Sequence, residues 1–305
     1  MNFFEKILKA LDGQMTTPTS YGWFHLMWIG IVIGLCVLVA LKCRKLNSKQ
    51  FRTITIIVAS VLILFEIYKQ LNFSFNSSTG EWHYQWYAFP FQFCSTPMYV
   101  LLLIGLLKEN KFSNWLCSFM ATFGLFAGVV VMLYPNDVFI STIGINIQTM
   151  LHHGMMIVMG VFMIATGRAK LEHKTILKGM AVFGALVATA FALNLTWYLS
   201  VAPADKTYYF NMFYISPFVR CHLPVLGNIW DINYVLFLVS YLFGFSLAGY
   251  LMILIPMGIK ALIGLIKNSK KEKVADNEQK VDSNEKEENN ELKEPEQSVE
   301  NKANN

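Results

Sequence analysis

Charge is scarce in this chain. Only 15% of its 305 residues are Asp, Glu, Lys or Arg, against 54% hydrophobic, a balance that excludes an ordinary soluble domain. A Gly-rich phosphate loop is missing, which excludes nucleotide chemistry of the P-loop kind. No internal repeat is evident, although many transporters are built from one. The first twenty residues carry no small-residue cleavage site ahead of a short apolar core, so no cleavable signal is expected. The five cysteines have no metal-ligand spacing, and no His-x-x-x-His face occurs.

What is present is length in apolar runs. A bilayer crossing needs about 20 apolar residues, and seven stretches approach or exceed that length: Tyr21–Leu41, Phe51–Leu71, Phe91–Leu107, Ser113–Tyr134, Ile147–Thr166, Ile176–Leu199 and Ile232–Pro256. The expected fold is an all-α polytopic membrane bundle. Residues 1–20 precede it, with Phe3, Phe4, Ile7, Leu8 and Leu11 at helical spacing, as suits a segment lying in the membrane interface. Residues 21–266 form the seven-helix membrane domain. Residues 267–305 are rich in Lys, Glu and Asn and have no aromatic residue, which predicts a disordered cytoplasmic tail.

The net charge of +5 divides unevenly. The tail holds eight Lys and eleven acidic residues, leaving +8 on the membrane part. That excess is a topology signal and does not argue for nucleic acid. Lys42, Arg44, Lys45, Lys49 and Arg52 lie in the first loop, Lys108 and Lys111 in the third, and Arg168, Lys170 and Lys174 in the fifth. The second and fourth loops have no Lys or Arg, and the long sixth has only Lys206 and Arg220. By the positive-inside rule the N-terminus is outside and the C-terminus inside. Lys267, Lys270, Lys271 and Lys273 would then meet anionic head groups at the cytoplasmic face.

This topology aligns the polar residues inside the apolar spans. His25, Glu66, Lys69, Gln92, Cys94, Gln148, His152, His153, Asn194, Asn233 and Tyr234, with Asp231 at the entrance of the last span, all fall near the outer ends. At a rise of ~1.5 Å per residue they converge about 5–10 Å below the outer interface. Ionisable groups at membrane depth are costly and mark functional sites by default.

Cys94 stands out among them. Its span opens Ala88-Phe89-Pro90-Phe91-Gln92-Phe93-Cys94-Ser95-Thr96-Pro97. A helix starting at Pro90 would place the thiol near a positive helix end, where the dipole favours thiolate. Pro97 would then bend that helix beside it. The fifth span offers a base at matching depth in Leu151-His152-His153-Gly154, of which only one His is expected to face the thiol directly. Gly154 would permit close backbone approach. Glu66 and Lys69, three apart on one helix face, suit a pair with each other. Asn194 and Gln92 could donate to an oxyanion or bond to neighbouring helices. Glu66 or Asp231 could orient the His, while His25 reads as a structural His or a supporting group. Tyr208, Tyr209, Phe210, Phe213 and Tyr214 suit an interfacial aromatic cap over the pocket. Cys36, Cys43 and Cys117 read as small buried hydrophobes. A disulfide between Cys94 and Cys221 is open in an oxidising exterior.

Phe89-Pro90-Phe91-Gln92-Phe93-Cys94-Ser95 resembles the Pro-x-(His/Gln)-x-Cys segment of the YwaF-like bacterial integral membrane proteins. His153-Gly154 resembles their His-Gly pair, and Asn194 with Tyr209-Phe210-Asn211-Met212-Phe213-Tyr214-Ile215-Ser216-Pro217 resembles their Asn and Asn-Tyr-Met-x-x-x-x-Pro region. The resemblance covers residues 21–260. That family is similar to the eukaryotic transmembrane acyltransferase that makes polyunsaturated ether phospholipids, and more distantly to the androgen-induced membrane hydrolases. It implies Cys94 as nucleophile and His153 as base.

The expectation is therefore a multi-pass protein of the cell membrane that moves phospholipid acyl chains through Cys94 and His153, with membrane lipids as partners. No metal or cofactor is expected. A small-solute transporter or channel, a zinc hydrolase built on His25, His152, His153 and Asp231, and a non-catalytic scaffold are the alternatives. Adjacent His152 and His153 diverge around a helix and fit one tetrahedral ion poorly.

Overall fold

The computed structural model describes residues 3–201 and 209–291, with side chains described as far as Ser269. A nine-residue helix, α1 (Phe3–Leu11), occupies the segment where helical apolar spacing was read. Six helices are long and apolar enough to cross a membrane among the described residues. They are α2 (Trp23–Lys42), α3 (Ser48–Ser74), the run Lys111–Leu133, α7 (Ile143–Ala165), α8 (His173–Ser200) and the first part of α10 (Tyr234–Glu291). Between α3 and that run lies a shorter apolar helix, α4 (Thr96–Leu106). The run Lys111–Leu133 consists of α5 (Lys111–Phe119), a π turn at Met120–Gly124 and α6 (Leu125–Leu133). Six full spans and one short helix thus replace the expected seven.

Local chemistry sets several of these boundaries. Asn47 and Gln50 form a reciprocal capping box at the start of α3, and Asn110 and Ser113 do the same for α5. A two-residue hairpin, β1 (Phe75–Asn76) with β2 (Glu81–Trp82), turns through Gly80 at φ 76°. A seven-residue helix, α9 (Leu226–Ile232), precedes α10. The bundle occupies described residues as far as Leu254, and α10 from Ile255 onward belongs to a separate unit. α10 continues to Glu291, into the segment whose composition suggested a tail. The Lys, Glu and Gln that kept it polar are also good helix formers. Residues 292–305, and Lys206 and Tyr208 of the sixth loop, lie outside the described residues.

α7 is the central helix. It packs against α2, α3, α6 and the π turn, and 67% of its apolar window is buried, against 22% for α2. Glycines make this closeness possible. A Cβ at Gly154 would lie 2.5 Å from Val32 of α2, and one at Gly128 would lie 2.6 Å from the carbonyl of His153.

The start of α4 departs from expectation. Pro90 does not open it; Ser95 is the N-cap and Pro97 occupies the first turn. A helix begun at Pro90 would have left the Phe93 carbonyl without the N–H that Pro97 lacks. Here the Thr96 hydroxyl donates to that carbonyl at 3.0 Å, and the N–H groups of Ser95 and Thr96 both donate to the Gln92 carbonyl. Eleven helical residues span only about 16 Å, roughly half of a hydrocarbon core of about 30 Å. The chain before Thr96 enters the bundle in a non-helical path. Such backbone is tolerated at membrane depth only inside protein or beside a water-filled cavity.

At the opposite ends of α3, α4 and α7 lies a second polar cavity of about 380 Å³. Arg168 dominates it. Its guanidinium donates to Glu109 at 2.9 and 3.2 Å and to the carbonyls of Leu46 and Thr166, and lies 4.5 Å from the Phe51 ring centroid.

Candidate functional site

The non-helical approach to α4 forms one wall of a cavity of about 340 Å³. Glu66, Lys69 and Phe73 of α3, Gln92, Cys94 and Ser95 before α4, Gln148, Thr149, His152 and His153 of α7, and Tyr214 of the sixth loop line it, with Asp137 from the fourth loop. Seven of the polar span residues singled out by sequence meet here: Glu66, Lys69, Gln92, Cys94, Gln148, His152 and His153.

Each histidine has one nitrogen committed. His153 Nδ1 is 2.8 Å from the Thr149 carbonyl one turn earlier. A carbonyl only accepts, so Nδ1 carries the proton and Nε2 of the neutral ring is left as an acceptor. His152 Nε2 is 2.9 Å from the Cys94 carbonyl, which by the same reasoning leaves Nδ1 as its acceptor. Both remaining nitrogens are buried without a partner. The rings sit 5.6 Å apart at 63°. Both histidines line the cavity with Cys94, and the non-helical segment before α4 brings the Cys94 carbonyl to the His152 ring.

Glu66 and Lys69 pair at 2.9 Å, as their spacing predicted. Gln70 donates to the same Glu66 oxygen at 2.8 Å, and the second oxygen, Oε2, is buried and unpartnered. Glu66 is 4% exposed.

Gln92 and Asn194 have another task. Gln92 donates to the Asn211 carbonyl at 3.0 Å and accepts from the Phe213 N–H at 3.0 Å. Asn194 donates to the Met212 carbonyl at 3.0 Å and accepts from its N–H at 2.8 Å. Asn211 in turn accepts from the Ser216 N–H at 2.8 Å. Three amides thus clamp residues 211–216 into the bundle and hold Phe213 and Tyr214 at φ 59° and 58°, a region bulky residues rarely adopt. The aromatic segment expected as an interfacial cap is drawn inward. Phe213 is fully buried against Phe91, Phe93 and Phe183, Phe210 stacks on Trp197, and Tyr214 reaches the cavity.

Asp231 and His25 are elsewhere. Asp231 is exposed and pairs with Arg220 at 2.6 Å, which holds its carboxyl below the usual carboxylate range. It does not line the cavity. His25 accepts from the Tyr21 N–H at 2.9 Å and donates to the Met132 carbonyl at 2.9 Å, so both its nitrogens are occupied. Cys94 and Cys221 are free thiols rather than a disulfide. No three His, Cys, Asp or Glu side chains form a metal-sized group among the described residues. Sequence reasoning missed Asp137, which no apolar span contained, and Thr149, whose backbone carbonyl sets the His153 tautomer and left no side-chain signal.

The cavity thus gathers a cysteine and three buried acceptors that have no partner of their own. The model of the TMEM164 family matches residues 19–255, which takes in every element of this cavity. No curated protein and no solved structure matches the chain.

Proposed function

We propose that this protein, which belongs to the TMEM164 family, is a membrane-embedded acyltransferase or transacylase acting on phospholipid acyl chains. The observation that carries this reading is the unpartnered Nε2 of His153, buried in the cavity that Cys94 also lines. In the reaction, Nε2 takes the thiol proton and the thiolate attacks an ester carbonyl of a phospholipid. The C–O bond to the glycerol oxygen breaks, and the departing alkoxide takes the proton from the imidazolium. A hydroxyl then attacks the Cys94 thioester as the same nitrogen removes its proton, and that proton passes back to the released thiolate. His152, bonded to the Cys94 carbonyl, positions the nucleophile's backbone. The Lys and Arg distribution supports a site opening toward the outer leaflet.

Purified protein incubated with acyl-labelled phospholipid should acquire label that neutral hydroxylamine releases, and Cys94→Ala should abolish both the adduct and lipid remodelling. Remodelling at the wild-type rate in Cys94→Ala would make the cysteine a packing residue. Solute flux into vesicles without any lipid change would favour the transporter class. The leaflet is tested separately. A cysteine placed at Ser78 should label with an impermeant maleimide on intact cells and one at Ser269 should not; the reverse pattern moves the site to the inner leaflet.

A further inference from the structure

Three buried acceptors of the cavity have no donor within reach among the described residues. Glu66 Oε2, His152 Nδ1 and His153 Nε2 are all buried acceptor atoms without a partner. Leaving such groups unbonded in a low-dielectric interior is costly, so a bound molecule is expected to bring donors. The Cys94 thiol can serve one of the three, the base. Two acceptors remain. Lys69 adds the complementary need. An ammonium has three donors, and its only recorded bond among the described residues is to Glu66 Oε1.

From this juxtaposition we infer that the Glu66–Lys69 pair binds a polyhydroxylated lipid head group, such as a glycerol or sugar moiety, and so selects the acyl acceptor. The inference rests on the acyl-transfer reading only for the word acceptor; the binding stands by itself. A hydroxyl both donates and accepts. One hydroxyl of a polyol gives its proton to Glu66 Oε2 while an oxygen of the same molecule accepts from Lys69. A neighbouring hydroxyl then points to the histidines, where the Cys94 thioester would be resolved. An alkylammonium head group fits less well, because it supplies donors only and meets Lys69 as a like charge. A head group with a phosphate alone satisfies Lys69 but offers nothing to Glu66 Oε2.

Glu66→Gln tests this sharply. Gln70 and Lys69 both donate to Oε1, so the new amide keeps its carbonyl there and presents its NH₂ where Oε2 stood. An acceptor becomes a donor with almost no change in volume. Binding is measured by native mass spectrometry on the full-length protein carrying Cys94→Ala, so turnover plays no part. The probes are chain-matched monoacylglycerol, lysophosphatidylglycerol, lysophosphatidylcholine and lysophosphatidic acid. The two polyol lipids should bind about tenfold tighter than the two with a single hydroxyl, the worth of one hydrogen bond to a charged group. Glu66→Gln should remove that preference. If this variant is not monodisperse, Lys69→Gln, altered at a partly exposed side chain, should weaken the same preference. Equal affinity for all four lipids, tightest binding of lysophosphatidic acid, or a preference unchanged in both variants would overturn the inference. Polyol preference without any thioester in the wild-type protein would sink acyl transfer and leave this inference standing. A thioester without the preference would do the opposite.

Discussion

The two polar cavities of this bundle are close in size, about 340 and about 380 Å³, and sit at opposite ends of α3, α4 and α7. Around Arg168 every guanidinium nitrogen has an acceptor, and Asn114 closes the network by donating to the Arg168 carbonyl at 2.7 Å. Around Cys94 three buried acceptors have none. A polar cavity at the ends of the spans is therefore not itself the mark of a reactive site. A completed network locks helices together, whereas an incomplete one is poised for a molecule from outside, since low dielectric makes unpaired groups costly.

The largest expected effect falls on the incomplete cavity. His153→Ala should lower the rate of thioester formation by about 10²–10⁴-fold, the usual contribution of a positioned general base. His152→Ala should cost less, because its bond is to the backbone of the nucleophile. Equal losses in the two variants, read from single-turnover labelling, would remove the distinction between base and positioning residue.

The complete cavity should answer in stability. Arg168→Ala removes charge-assisted hydrogen bonds from a side chain 16% exposed, and should destabilise the bundle by about 2–3 kcal/mol. Labelling per folded molecule should not change. Thermal unfolding of the purified protein and its labelling rate, compared on one preparation, check both halves. A fall in specific rate would show that the two ends are coupled through the helices they share.

Asn194 sharpens the contrast further. As an oxyanion donor, its loss would slow the reaction by about 10²–10³-fold. As a clamp on Met212, its loss leaves a backbone N–H and a carbonyl unpartnered and costs about 1–3 kcal/mol of stability. The bonds observed at both ends of its amide predict the second pattern. A large rate loss with unchanged unfolding would restore the oxyanion role.

How much of this was legible in the sequence follows from physical range. Apolar length located the six long helices, and the polar residues near the ends of the spans located the cavity, because the cost of burying charge is a property of each residue. The Glu66–Lys69 pair was readable from a three-residue spacing. The start of α4 was not, because Pro90 and Pro97 both suit a first turn, and the choice depends on how the Phe93 carbonyl finds a donor. Gln92 and Asn194 read equally as oxyanion donors or as bonds to neighbouring helices, and the partners they have lie in the sixth loop. Their bonds span 119 and 18 residues, to a loop whose fold is set by those very bonds. Asp231 was drawn toward the site by its place at a helix entrance, while its partner Arg220 lay in a loop with no periodic pattern to read.

The smallest expected effect belongs to Asp231, and its smallness is informative. Arg220 grips both carboxylate oxygens, at 2.8 Å through Nε and 2.6 Å through Nη2, yet both side chains are exposed. Solvent screens such pairs. Because the folded carboxyl titrates below its unfolded value, whatever stability the pair adds is present above the usual carboxylate range. It is lost as the pH falls through the lowered value. Asp231→Asn should therefore leave the neutral-pH unfolding temperature nearly unchanged, and in acid the wild type should converge on the variant. Its acyl-transfer rate should match the wild type across the neutral range, since the residue does not line the cavity. An Asp231→Asn rate loss comparable to that of His153→Ala would place the carboxylate in contact with the reacting groups and break the separation between the α9 ion pair and the cavity.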